Sequence, residues 1–91
     1  MFKSENRAFL KRLLSNSLAS SKKKIEVEEI IVEVERFFER VETRFYEDIT
    51  VYSAIELVLY RKGYYKEAKN FSKTWKEYRD ILPKQFSGER K

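Results

Sequence analysis

Apolar residues in this chain recur three and four positions apart in four separate stretches, with polar residues filling the intervals. That period is one face of an α-helix, whereas a half-buried strand would alternate. In the first stretch Phe9, Leu10, Leu13, Leu14 and Leu18 share a face, which predicts a helix over about 4–18. Ser4 suits the N-cap, and Glu5 places a carboxylate in the first turn, where the macrodipole favours negative charge. The helix should fail at Ser15-Asn16-Ser17 or Ala19-Ser20-Ser21, where short polar side chains compete for backbone hydrogen bonds. In the second stretch Val27, Ile30, Val34, Phe37 and Val41 carry the period, and Ile31, Phe38 and Phe45 add a flanking ridge. This predicts a long helix over about 25–46, with glutamates in its first turns and Arg36, Arg40 and Arg44 in its last, matching the macrodipole at both ends. Ile25-Glu26-Val27-Glu28 also alternates with period two, so its start is compatible with extended backbone.

Asp48-Ile49-Thr50 breaks the pattern and offers Asp48 or Thr50 as a cap. Val51, Tyr52, Ile55, Val58 and Leu59 predict a third helix over about 50–62, closed by Gly63 in a left-handed C′ position. Tyr64, Tyr65, Ala68, Phe71, Trp75, Tyr78 and Leu82 predict a fourth over about 64–82, ended by Pro83. Beyond it only Phe86 is apolar, so 84–91 reads as a frayed, flexible basic tail. The expected architecture is all-α: a small antiparallel bundle of about four helices in a single domain spanning 1–83.

Composition narrows the chemistry. A chain of 91 residues buries roughly 60–65% of its unfolded surface and needs no staple. It has no cysteine and no histidine, which removes disulfides, thiolate metal sites, and the commonest general base and zinc ligand. No phosphate-cradling glycine loop, metal cluster or nucleophile–base pair appears, so a non-enzyme without cofactor or metal is expected. No apolar run reaches the roughly 20 residues of a membrane span, and Met1-Phe2-Lys3-Ser4-Glu5 does not open a signal peptide, giving a cytoplasmic expectation without a membrane partner. Abundant Lys, Glu, Tyr and Ile resemble the usage of heat-adapted intracellular proteins.

The corner around Gly63 admits two comparisons. It resembles a helix-turn-helix in placing glycine in a turn between two helices. That motif asks for a small residue four positions before the glycine and an apolar anchor six after it, and here those positions hold Leu59 and Lys69. "GYYKEA" also resembles the centre of a tetratricopeptide hairpin, with Tyr65 and Ala68 in place. The same alignment puts Glu56 where glycine belongs, Ser72 for a phenylalanine, Trp75 for a small residue and Pro83 three positions late. There is one such unit of about 34 residues where arrays need roughly three, so neither pattern assigns a family.

Charge is segregated along the chain. Residues 1–24 carry +6, residues 25–50 carry −6 and residues 51–91 carry +5, within a net charge of +5. Lys62, Lys66, Lys69, Lys73 and Lys76 follow at spacings of 4-3-4-3, which sets their ammonium groups in a row on one helix face, about 5–6 Å apart. Such a row can follow a nucleic-acid backbone. Lys22, Lys23 and Lys24, with Lys11 and Arg12, form a second basic group. Lysine-rich faces also serve simply as solvated surface, or pair with glutamates within the molecule. Lysine outnumbers the arginine that bidentate base reading favours, so sequence-specific readout is not expected.

The aromatics Tyr64, Tyr65, Phe71, Trp75 and Tyr78 could stack bases, but their period is that of a core, which leaves Tyr60 and Tyr46, at helix ends, as exposed candidates. A long second helix would expose Ile31, Phe38 and Phe45, unless the first helix covers them, beside Glu28, Glu35, Glu39 and Glu42. That is a docking ridge for a basic partner or a second copy of the chain. The leading expectation is therefore an accessory protein that docks a larger protein of a nucleic-acid-processing complex and contacts the DNA or RNA backbone non-specifically. The alternatives are a pure protein-interaction module, and a DNA-binding regulator with a divergent helix-turn-helix. A homodimer remains open under each.

Overall fold

Four helices form where the periodic stretches lie: α1 Ser4–Ser17, α2 Val27–Phe38, α3 Asp48–Arg61 and α4 Tyr65–Glu77. They belong to a computed structural model that describes residues 2–39 and 45–88. α3 packs against α2 and α4, while α1 packs against α2 and α4, so each helix has two neighbours around one core. Leu10 and Leu14 of α1 point into that core, as do Ile30, Ile31 and Val34 of α2, Val51, Ile55, Val58 and Leu59 of α3, and Ala68 and Phe71 of α4. These are the positions the helical period selects. The radius of gyration of 12.4 Å is that of a compact chain of this length, about 12 Å.

Gly63 turns the chain between α3 and α4. Its φ of 86° lies in the left-handed region, which costs a residue with a Cβ roughly 1–2 kcal/mol. The Tyr64 N–H donates to the Leu59 carbonyl at 2.9 Å and the Gly63 N–H to the Tyr60 carbonyl at 3.0 Å. Together these two bonds form a Schellman motif, which satisfies carbonyls left over at the end of α3.

Several expectations are corrected. Ser4 is not the N-cap of α1: Lys3 occupies that position in extended conformation, and no side chain caps the helix. Neither Asp48 nor Thr50 caps α3, because Glu47 precedes the helix and Asp48 is its first residue, turned toward Arg79 instead. α2 begins at Val27, after an extended Glu26, and ends at Phe38 rather than continuing to 46. Arg40, Val41 and Arg44, assigned by the sequence to the end of that helix, lie outside the described residues. Phe45–Glu47 is a strand, β1.

The tail is also not frayed through 84–88. Gln85–Ser87 form a second strand, β2, antiparallel to β1 with Phe45 opposite Ser87, Tyr46 opposite Phe86 and Glu47 opposite Gln85. Phe2 bridges to Gly88 on the far side. Among the described residues the fold is therefore four helices plus a two-stranded sheet.

The reason is aromatic burial. Phe86 is fully buried, with ring centroids 5.5 Å from Tyr52, 6.3 Å from Phe2 and 6.2 Å from Phe9. Phe2 in turn meets Phe38 at 5.7 Å and Tyr46 at 5.8 Å. Covering a Phe-sized side chain is worth roughly 1.5–3 kcal/mol, enough to order a short segment whose backbone is also paired. Tyr46, expected at the surface, is buried in the same cluster. α4 ends earlier than expected, at Glu77, and hydrogen-bonded turns from Tyr78 to Leu82 carry the chain to Pro83. Proline has no N–H to continue a helix and disfavours helical backbone at the residue before it.

Candidate nucleic-acid interface

Some of the segregated charges meet in ion pairs between elements. Arg7 of α1 donates to Glu28 and, at 2.6 Å, to Glu35 on α2, and Lys11 reaches Glu28 at 2.8 Å. Lys11 holds the Glu28 carboxyl below the usual range, against the opposing effect of desolvation and with help from Arg7. Glu35 is buried and also accepts the Phe2 N–H at 2.9 Å, so Arg7 and Glu35 fix the N-terminal segment onto α2. Lys62 pairs with Glu33 at 2.9 Å, and that carboxylate holds the ammonium above the ordinary lysine range.

These pairs remove two cations from the expected interface, Lys11 and Lys62. Lys23 is occupied as well: its Nζ lies 3.3 Å from the Gly63 carbonyl, 3.7 Å from Glu67 and 5.4 Å from the Tyr64 ring centroid. Lys23 thereby ties the α1–α2 connection to the start of α4, and its chain neighbours Lys22 and Lys24 are exposed.

What remains is a row on α4. Lys66, Lys69, Lys73 and Lys76 are exposed and make no ion pair among the described residues. They lie opposite Ala68, Phe71 and Trp75, which are buried. From Lys66 to Lys76 the helix rises about 15 Å, the length over which one strand of a duplex carries about four phosphates. The Lys76 Nζ sits 5.6 Å from the ring centroid of Trp75, whose indole N–H donates to Glu56 at 2.8 Å. Glu67 is buried and faces Lys23, and Glu77 is the acidic residue left exposed on α4. Arg12 on α1 is exposed without an ion pair among the described residues.

The docking ridge expected on α2 does not stand exposed. Ile31 and Phe38 are buried, because α1 and α3 pack on α2 and the Phe2–Tyr46 rings close over Phe38. Phe45 is exposed, but on β1 and not on a helix. Glu28 and Glu35 are engaged by α1, Glu39 is exposed, and Glu42 lies outside the described residues.

Two features escaped the sequence. Ile49 and Leu57 are exposed, and with Ser53 and Tyr60, the last already expected at the surface, they form an uncharged stripe along the outer face of α3. Tyr65 is 60% exposed. Its position carried the signal: Tyr64 is in phase with Ala68, Phe71 and Trp75, whereas Tyr65 is in phase with Lys69, Ser72 and Lys76.

No helix among the described residues is long and apolar enough to cross a membrane. No family model matches the chain, and neither a curated protein nor a solved structure matches it.

Proposed function

We propose that this chain is a non-enzymatic accessory protein that contacts nucleic-acid backbone through α4 without reading sequence. The observation that carries the reading is the row Lys66, Lys69, Lys73 and Lys76, four exposed cations without an ion pair among the described residues, while Glu28, Glu33 and Glu35 of α2 are engaged by Arg7, Lys11 and Lys62. Phosphate oxygens would accept from the ammonium groups, and binding would draw on release of counterions rather than on base contacts. Lys22 and Lys24, exposed beside the Lys23 that reaches the start of α4, would extend the contact. The partner would be a larger protein of a nucleic-acid-processing complex, and the reading places the protein in the cytoplasm.

The test is fluorescence anisotropy of labelled DNA and RNA. With four phosphates engaged, affinity for a duplex should fall about 150-fold between 50 mM and 200 mM salt. Changing Lys66, Lys69, Lys73 and Lys76 to Glu should abolish binding while leaving the fold intact, since none of the four is buried. Salt-independent binding, or unchanged affinity in the variant, would contradict the reading.

A second reading, a pure protein-interaction module, draws on the α3 stripe. Ile49, Leu57 and Tyr60 are exposed on one face of α3, an apolar surface suited to an amphipathic helix. It predicts no nucleic-acid binding at any salt, and a protein complex lost on Leu57→Asp. The helix-turn-helix reading has less support, because Lys69 is exposed at the position where that motif buries an apolar anchor.

A further inference from the structure

We infer that the Tyr60–Tyr65 pair is a base-stacking site, and that the preferred ligand is single-stranded nucleic acid. This rests on the reading of α4 as a phosphate-contacting face.

Tyr60 stands near the end of α3 and Tyr65 opens α4, so the Gly63 turn brings their rings to 5.9 Å between centroids at 44°. Both are exposed, at 40% and 60%. Among the described residues neither ring has a cation over it, unlike Tyr64 beneath Lys23, and neither hydroxyl has a hydrogen-bond partner. Large aromatic faces left open in this way at the head of a lysine row are unexplained by packing, since the buried rings of Tyr52, Phe71 and Trp75 already fill the interior. One helical turn separates Tyr65 from Lys69, and Lys66 follows Tyr65 directly, so a strand whose phosphates track Lys66, Lys69 and Lys73 passes its first bases over the tyrosines.

The pair discriminates by physical state. Duplex bases are already stacked on each other and offer only their edges in the grooves. Unpaired bases present a π-face to an aromatic side chain, whatever their identity. A tilted, exposed pair of rings rewards the second ligand and is idle toward the first.

The experiment compares labelled oligothymidine of about 16 nucleotides with a duplex of the same length at low salt. Wild-type protein should bind the single strand more tightly. Tyr60→Ala with Tyr65→Ala should weaken single-strand binding roughly tenfold or more, the loss of one or two stacked bases, and leave duplex binding unchanged. Tyr60→Phe with Tyr65→Phe should retain wild-type affinity, because the rings and not the hydroxyls are at work.

Unchanged single-strand binding in the alanine variant, or an equal loss on both probes, would overturn the inference while salt-sensitive binding would leave the backbone reading standing. Absence of salt-sensitive binding to either probe would overturn both.

Discussion

At the scale of single residues, positions that look alike in the sequence separate by what surrounds them. Asp48 and Glu28 are both acidic groups near basic ones, yet only Asp48 is buried. Burial alone would raise its carboxyl. The Arg79 Nε hydrogen bond at 3.0 Å, with the Ile49 backbone and the charges of Arg79 and Lys84, outweighs that and holds it below the ordinary carboxylate value. A lowered folded-state value means that the charged form contributes stability in full above about pH 4 and loses it as pH falls further. Asp48→Asn should therefore lower stability at neutral pH and flatten the decline below about pH 4. Urea melts of both proteins across that range check this, and parallel curves would contradict it. Tyr52, stacked on Trp75 at 5.1 Å, is pushed up first by burial and then by Asp48, so it stays a neutral phenol throughout that range. The left-handed Gly63 and the exposed lysines were legible in the sequence, because backbone conformation and helical phase are local properties. The identity of each lysine's partner was not, because Glu33 meets Lys62 only once α2 lies beside α3.

At the scale of elements, the helices were legible and the strands were not. A helix of 12 to 14 residues repeats its apolar face several times, whereas each three-residue strand contributes a single inward side chain, Tyr46 or Phe86. Their pairing joins positions some 40 residues apart, and nothing in either segment's own period announces the other. The apolar character of Phe45 and Tyr46 was accordingly absorbed into the second helix, and a lone Phe86 looked like tail. Phe86→Ala measures what the strand pair contributes. The expected loss is about 3–5 kcal/mol, the usual cost of emptying a buried phenylalanine site, read as a lower urea midpoint. In a domain whose total stability is of order 5–15 kcal/mol, that is a large fraction. A frayed tail would instead give no change.

At the scale of the whole molecule, the acidic middle of the chain serves the fold and the basic end is left over. Glu28, Glu33 and Glu35 bind cations from α1 and the end of α3, drawing the segregated charges of the sequence into contact. The net +5 is then displayed unevenly, with four unpaired lysines along the outer face of α4 and two tyrosines at its head. On the proposed reading, that asymmetry suits one face of the molecule to a polyanion. The most direct measurement is a titration of isotope-labelled protein with oligothymidine, followed through its backbone amide NMR signals. Shifts should concentrate at Tyr60, Tyr65, Lys66, Lys69, Lys73 and Lys76, fade as salt is raised, and spare Arg7, Lys11 and the outer face of α2. Shifts centred on α1 and α2, or none at low salt, would contradict that reading.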